Sequence, residues 1–167
     1  MSVAISTVLR SGTDPAKIIS LASEIHGGRP VVALRKIKLT ESKPRTAVLL
    51  VEDEALIRMM IAGMIEELGH TVVAEAANIE DALKLAKTAD FGIAVLDINV
   101  GGDRIEPVAE IINDRRLPFV FASGYGAAGM PEKFRDRPIL QKPFVMDRLG
   151  EAIQKALEVA GALKDEG

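Results

Sequence analysis

An α/β architecture, a doubly wound parallel sheet of five strands with helices on both faces, follows from three features of the chain. Short apolar runs of strand length recur from residue 47 onward, segments with helical spacing separate them, and the leading run, "AVLLV", is continuously apolar. Strands covered by crossover helices on both faces have that composition, whereas half-exposed antiparallel strands alternate.

The elements follow in order. An N-terminal extension with its linker, residues 1–45, is expected to carry a helix and a strand. "SGTDPAKIISLASEIHGG" reads as the helix, with Asp14 as N-cap, Pro15 at the first helical position and Gly27 with Gly28 as its stop. "RPVVALRKIKL" reads as the strand. These two elements bury too little to stand alone, so the extension either packs on the main domain or on a second copy of the chain, or is a loose leader. "KLTESKPRT", rich in charge and hydroxyls and carrying Pro44, marks the boundary. Residues 46–161 form the main domain and 162–167 a tail.

Within that domain "AVLLV" (47–51) is the first strand. "EALIRMMIAGMIEELG" is a helix expected to bury Leu56, Met59, Met60, Met64, Ile65 and Leu68, the methionines as core filler, and to stop at Gly69. "HTVVAEA" is the second strand, "NIEDALKLAKTA" a helix capped by Asn78, and "FGIAVLD" the third strand. "IEPVAEIINDR" is a shorter helix with Pro107 in its first turn, and "PFVFAS" is the fourth strand. A glycine-rich piece leads through "MPEKFRD" to a short fifth strand at "PILQ". "MDRLGEAIQKALEVAGAL" closes the domain as an amphipathic helix that Gly150 should weaken modestly.

Composition excludes several functions. The chain has 167 residues, 48% of them hydrophobic, enough for one well-packed core. A formal net charge of -3 without a long basic run leaves no electrostatic footprint for nucleic acid. No cysteine is present, which removes thiolate metal sites and a cysteine nucleophile, and His26 with His70 are too few for an imidazole-rich site. Any ion must be held by oxygen. No stretch approaches the roughly 20 apolar residues that span a bilayer, and no secretory leader is evident, so a cytoplasmic protein without membrane contact is expected.

Ligand sites in open α/β sheets lie beyond the carboxyl ends of the strands. The residues there are Glu52 and Asp53, Asp97, Ser123, and Lys142. Four turns thus bring three carboxylates, one hydroxyl and one ammonium to one rim. Carboxylates gathered in a crevice repel one another and are driven toward protonation unless a cation compensates them. Mg²⁺ suits the site: a small hard ion, commonly held by one or two carboxylates together with a phosphate. Asp53 and Asp97 are expected as direct ligands, Glu52 through water, and the backbone carbonyl of Asn99 as a further oxygen. Lys142 pairs with Asp97 at rest and with an added phosphoryl group afterwards. A phosphoryl group on Asp97 would find Mg²⁺, the Lys142 ammonium and the Ser123 hydroxyl as its partners, the parts that in-line phosphoryl transfer to a carboxylate nucleophile requires. Hydrolysis of the acyl phosphate would reset the site.

The motifs "VEDE", "VLDIN" around Asp97, "FASGYG" around Ser123 and "QKPF" around Lys142, in that order, resemble the receiver domain of two-component response regulators from residue 47 to about 160. The resemblance implies a flavodoxin-like fold, with Glu52 and Asp53 as the acidic pair, Asp97 as the phosphorylated aspartate, Ser123 as the hydroxyl that moves toward the phosphate and Lys142 as the family's lysine. It also implies a cis bond between Lys142 and Pro143. "FVFASGYGAAGMPEKFRDRPILQKPF" is similar to a stand-alone alphaproteobacterial subgroup, which implies that no output domain follows. The implied partners are a histidine kinase or histidine phosphotransfer protein, with a homodimer as a further state. Signal would leave through the face of the fourth helix, fifth strand and fifth helix, here residues 126–160.

Two departures stand out. Receivers usually place a proline four residues after the phosphorylated aspartate and a glycine four beyond it, where this chain has Gly101 and Ile105. The loop "NVGGDRIEP" is therefore expected to be less rigid than usual, leaving the rim near Asp97 more adaptable, with Asp103 facing solvent. The aromatic position on the fifth strand is Ile139, which leaves Tyr125, the only tyrosine, as the switch candidate beside the plain alternative of a half-exposed ring.

Other functions compete for the same residues. A phosphatase for small phosphoesters would use Asp97 as nucleophile, but no cap insertion is evident to cover a substrate. A non-phosphorylated adaptor would need neither Mg²⁺ nor Asp97. "GYGAAG" (124–129) is formally a dinucleotide-binding fingerprint, yet it follows the fourth strand and no second βαβ half completes a cofactor crevice. Glu54 reads as a first-turn helix residue. His26 and His70 have no neighbour in sequence that would make them acid-base catalysts.

Overall fold

The computed structural model of the protein describes residues 5–10, 18–26, 29–35 and 45–165, with side chains described over 45–160 except residues 127 and 128. The chain divides into two compact units, Met1–Lys43 and Pro44–Gly167.

The first unit contains a three-stranded antiparallel sheet of β1 (Ile5–Arg10), β2 (Ile18–His26) and β3 (Arg29–Arg35), in that order. This corrects the expected helix, whose central stretch is β2; β1 has no counterpart among the sequence expectations. The reason lies in the same letters. Ile19, Leu21 and Ile25 alternate with Ser20, Ala22, Glu24 and His26, a period of two, and β-branched Ile18 and Ile19 favour extended backbone. Antiparallel partners on both sides then satisfy the main chain of β2. The cap residues Asp14 and Pro15, the glycines at 27 and 28 and the linker through Pro44 lie outside the described residues, as do the last two residues of the tail.

The second unit runs β4 (Ala47–Val51), α1 (Ala55–Glu67), β5 (Thr71–Ala76), α2 (Ile79–Thr88) and β6 (Ile93–Asp97). A small hairpin of β7 (Asn99–Val100) and β8 (Asp103–Arg104) follows, then α3 (Glu106–Asp114) and β9 (Phe119–Ser123). Two 3-10 turns, Gly126–Gly129 and Glu132–Phe134, lead to β10 (Ile139–Gln141) and α4 (Met146–Asp165). The five main strands pair in parallel in the order β10-β9-β6-β4-β5. This is the expected doubly wound, flavodoxin-like sheet.

Strand alternation divides the core into two layers. Leu49, Val51, Ala94, Leu96, Phe119 and Phe121 pack with Ala82, Ala86, Val108 and Ile112 of α2 and α3. Val48, Leu50, Ile93, Val95 and Val120 pack on the other face with Ile61, Ile65, Leu149 and Ile153 of α1 and α4. Successive residues of a strand point to opposite faces, so a run buried on both sides has no position for a polar residue until it ends. That is why the charged residues appear together at the strand exits.

The expected buried stripe of α1 is corrected. Ile61 and Ile65 are its fully buried residues, with Ile57, Met64 and Leu68 packed beside them, whereas Leu56, Met59 and Met60 are 77%, 67% and 47% exposed. Apolar residues occupy nearly the whole helix, so the sequence period alone does not select the inner face. At the other ends, expectation and structure agree: Asn78 accepts a 2.8 Å hydrogen bond from the Asp81 N–H as the cap of α2, Pro107 opens α3, and Gly69 ends α1 at φ +86. The expected fourth helix is absent as such; two 3-10 turns take its place, anchored by buried Phe134 edge-on to Phe119 at 5.4 Å.

Candidate functional site

β4 lies between β5 and β6, and the chain leaves it first toward β5 and only later returns on the other side at β6. This reversal of winding direction opens a crevice at the carboxyl ends of β4 and β6. Glu52 and Asp53 follow β4 and Asp97 ends β6. Their carboxylates each offer an oxygen within 4.8 Å of the others.

Each side chain is held differently. The Glu52 N–H continues the β4–β5 ladder by donating to the Ala76 carbonyl at 3.0 Å, which fixes the residue at the strand end. Its side chain is 1% exposed; Oε1 accepts from the Glu54 N–H at 3.3 Å and Oε2 accepts from Lys142 Nζ. Lys142 Nζ also donates to Asp97 Oδ2 at 2.7 Å, so one ammonium bridges two carboxylates. Lys142 is itself placed by its backbone N–H, which donates to the Ser123 carbonyl at 2.8 Å; its bond to Pro143 is cis, as expected. Asp53 is half-buried and its Oδ2 accepts from the Gly101 N–H at 3.1 Å.

The electrostatics follow from burial. Desolvation pushes the Glu52 carboxyl above its ordinary value, partly opposed by the hydrogen bond and charge of Lys142, while Asp97 repels it further. Burial pulls Lys142 down, yet its hydrogen bonds to Asp97 and Glu52 and their attraction outweigh this, and its pKa is raised. Three carboxylates facing one ammonium leave the crevice short of positive charge. All the clustered donors are hard oxygens, without imidazole or thiolate, which is the chemistry of Mg²⁺ rather than of zinc or copper. The Glu52, Asp53 and Asp97 cluster matches a Mg²⁺-coordinating site.

The "NVGGDRIEP" segment forms a hairpin rather than an irregular loop. Gly101 and Gly102 take φ +65 and +93 as the two-residue turn of the β7–β8 hairpin, in which Asn99 pairs with Arg104 and Val100 with Asp103. Two adjacent left-handed residues match the right-handed twist of a hairpin, and glycine adopts them without steric cost. Asp103 is exposed, as expected. The Ile105 N–H donates to the Ile98 carbonyl at 3.2 Å, so the neighbouring Asn99–Arg104 pair falls at the position of an antiparallel ladder where main-chain groups point outward. The Asn99 N–H accordingly donates to Asp97 Oδ1 at 3.2 Å.

Ser123 ends β9, and Ala122 before it pairs with Asp97, so the hydroxyl stands one residue past the aspartate on the adjacent strand. It is buried and accepts from the Tyr125 N–H at 3.0 Å. A Cβ on Gly129 would approach its Oγ to 3.3 Å. Tyr125 itself is 82% exposed. "GYGAAG" opens a four-residue 3-10 turn rather than the α-helix a dinucleotide would need. Glu54 is the N-cap position of α1 without a side-chain bond, and His70 Nδ1 accepts from the Thr46 N–H at 3.3 Å; the His26 side chain lies outside the described residues.

Sequence reasoning missed two participants. Arg58, on the first turns of α1, donates from Nη1 to the carbonyl of Glu52 at 2.6 Å and more distantly to that of Asp53 at 3.4 Å. Gly101 supplies an N–H across 48 residues of sequence to Asp53. Neither residue type in its local pattern distinguishes such a role from an ordinary helix arginine or turn glycine.

The comparisons with known proteins agree with this geometry. The model of the response regulator receiver domain matches residues 48–154. The transcriptional regulatory protein PdtaR of Mycobacterium tuberculosis is 34% identical over 114 residues, covering 66% of this chain and 56% of that protein. The chain thus spans about half the length of such curated relatives. The solution structure of SdrG from Sphingomonas melonis Fr1 is 41% identical with a TM-score of 0.62, covering 68% of this chain and 97% of SdrG. The BeF3-activated conformation of SdrG from Pseudomonas melonis Fr1 is 40% identical with a TM-score of 0.58, covering 66% and 95%. No helix among the described residues is long and apolar enough to cross a membrane. With the family model covering well over half of its length and the acidic crevice in the place that fold provides, the chain belongs to the response regulator receiver domain family.

Proposed function

We propose that this protein is a phosphoacceptor of a two-component or phosphorelay system, taking a phosphoryl group onto Asp97 from a histidine kinase or a histidine phosphotransfer protein. The observation that carries the proposal is the Lys142 ammonium bound to Asp97 and Glu52 beside the acidic cluster. An oxygen of Asp97 attacks phosphorus in line, the bond from phosphorus to the donor imidazole nitrogen breaks, and its electron pair returns to that ring. Lys142 exchanges a carboxylate oxygen for a phosphoryl oxygen, and Ser123 releases the Tyr125 N–H to donate its own hydroxyl. Glu52, Asp53, Asp97 and the outward-pointing carbonyl of Asn99 would hold Mg²⁺. That ion supplies charge neutralisation for the phosphoryl oxygens. Water later cleaves the acyl phosphate, so the chemistry is self-phosphorylation and self-dephosphorylation rather than multiple turnover.

Output proceeds through protein contacts on the side of the 3-10 turns, β10 and α4, where Tyr125 is the switch candidate, and a homodimer is one form this takes. The relation to SdrG, whose structure is described as BeF3-activated, supports an occupied state that beryllofluoride would mimic here. The test is incubation with acetyl phosphate and Mg²⁺ followed by intact-mass measurement. The wild type gains one phosphoryl group and Asp97→Asn does not. Steady release of phosphate without an adduct would assign a hydrolase instead, and no reaction with any donor would leave an adaptor.

A further inference from the structure

We propose that Arg58 is a positioning residue for the cation site, acting through the main chain of the two acidic residues rather than on the ion. Its Nη1 donates to the Glu52 carbonyl at 2.6 Å and reaches the Asp53 carbonyl at 3.4 Å, while Nε donates at 3.2 Å to Glu75 Oε2 on the neighbouring strand β5. The guanidinium therefore ties both peptide units of the β4 exit to a strand of the sheet. The carbonyl of Glu52 is held on the arginine, while its N–H is already spent on Ala76. Between these two bonds the peptide on either side of Glu52 has little freedom to rotate. The Asp53 carboxylate lacks the burial and the lysine contact of Glu52, and takes its direction from that main chain together with the Gly101 N–H. Arginine suits the task because its planar fork presents several donors in fixed relation, which lysine does not.

Charge and geometry make opposite predictions here. Arg58 is a cation near a cation site, so removing it should tighten Mg²⁺ binding if its charge alone matters. If it positions the ligands, removal should weaken binding, about tenfold for an outer residue that orients metal ligands.

The experiment is calorimetric titration of Mg²⁺ into the whole chain for the wild type, Arg58→Gln, Arg58→Lys and Glu75→Gln, with melting temperatures in chelator as the measure of metal-free folding. Arg58→Gln should bind about tenfold more weakly. Arg58→Lys should recover only part of the loss, because it keeps the charge and one donor without the fork. Glu75→Gln should weaken binding severalfold and add little on top of Arg58→Gln, as expected for residues acting in series. An affinity in Arg58→Gln that is unchanged or tighter overturns the proposal. Should that variant fail to fold, wild-type affinity in both Arg58→Lys and Glu75→Gln overturns it equally. The inference rests on the Mg²⁺ site, and a wild type that takes up no Mg²⁺ overturns the site and the proposal together, whereas normal uptake unaffected by Arg58 overturns this proposal alone.

Discussion

Two glycine-containing segments flank the crevice, one after β6 and one after β9, and the same residue type serves opposite ends in them. In the hairpin, Gly101 and Gly102 supply consecutive left-handed residues, and the turn they form sends an N–H into the site at Asp53. In the segment after β9, Gly126 and Gly129 belong to a 3-10 turn, and order comes from a distance: Phe134 is buried against Phe119 and Phe121, at centroid distances of 5.4 and 6.1 Å. The first segment is specified by its backbone alone, whereas the second combines one left-handed glycine, Gly126 at φ +57, with a buried side chain. Glycine content by itself therefore says little about the structure a segment adopts; the demand for positive φ and the nearest buried anchor shape it.

The contrast can be broken most severely at Phe134. Truncation to alanine should cost about 3–5 kcal/mol, read from urea unfolding, while Mg²⁺ affinity stays within about twofold of wild type, since the ring packs against Phe119 and Phe121 in the core. A large loss of Mg²⁺ binding would show that the two segments are coupled. The converse change, Gly101→Ala together with Gly102→Ala, should cost roughly 1–2 kcal/mol per residue for forcing side chains into left-handed backbone. It should also weaken Mg²⁺ binding severalfold by displacing the turn that aims the residue-101 N–H at Asp53. Stability lost with affinity intact would place the hairpin outside the site.

A control on the charged exits sharpens the comparison. Burial, foremost, raises the folded-state pKa of Glu52 above that of an ordinary glutamate, so its protonated form favours the folded state. In chelator that contribution is complete below the unfolded value and is lost as pH rises through the higher folded value. Glu52→Gln should flatten this decline in denaturation curves taken across the same range, and an unaltered slope would assign the decline to other groups. The smallest effect is expected at Tyr125→Phe, under about 0.5 kcal/mol in stability because the ring is exposed. Its phosphorylated form should nevertheless lose partner binding if the hydroxyl serves as the switch.

Much of the crevice is legible in the sequence. Continuous apolar runs announced strands buried on both faces, and the first charged residues after them, Glu52, Asp53, Asp97 and Lys142, had nowhere to lie except at the exits. Local period and strand-end chemistry are encoded within a few residues, so the sequence determined the main sheet, the order of its elements and the acids and lysine of the site. Tertiary structure decided what depended on choosing between comparable local options. Ile18–His26 carried both helix signals at its borders and a period of two inside, and pairing on both sides made it a strand. Helix α1 was apolar almost all round, and only the position of the sheet selected Ile61 and Ile65 over Met59 and Met60. Gly150, a weak point by propensity, lies where a Cβ would come within 3.0 Å of Leu68, a constraint set by the neighbouring helix. The contacts of Arg58 and Gly101 were fixed last, because a hydrogen bond to a backbone group leaves no trace in the identity of its acceptor.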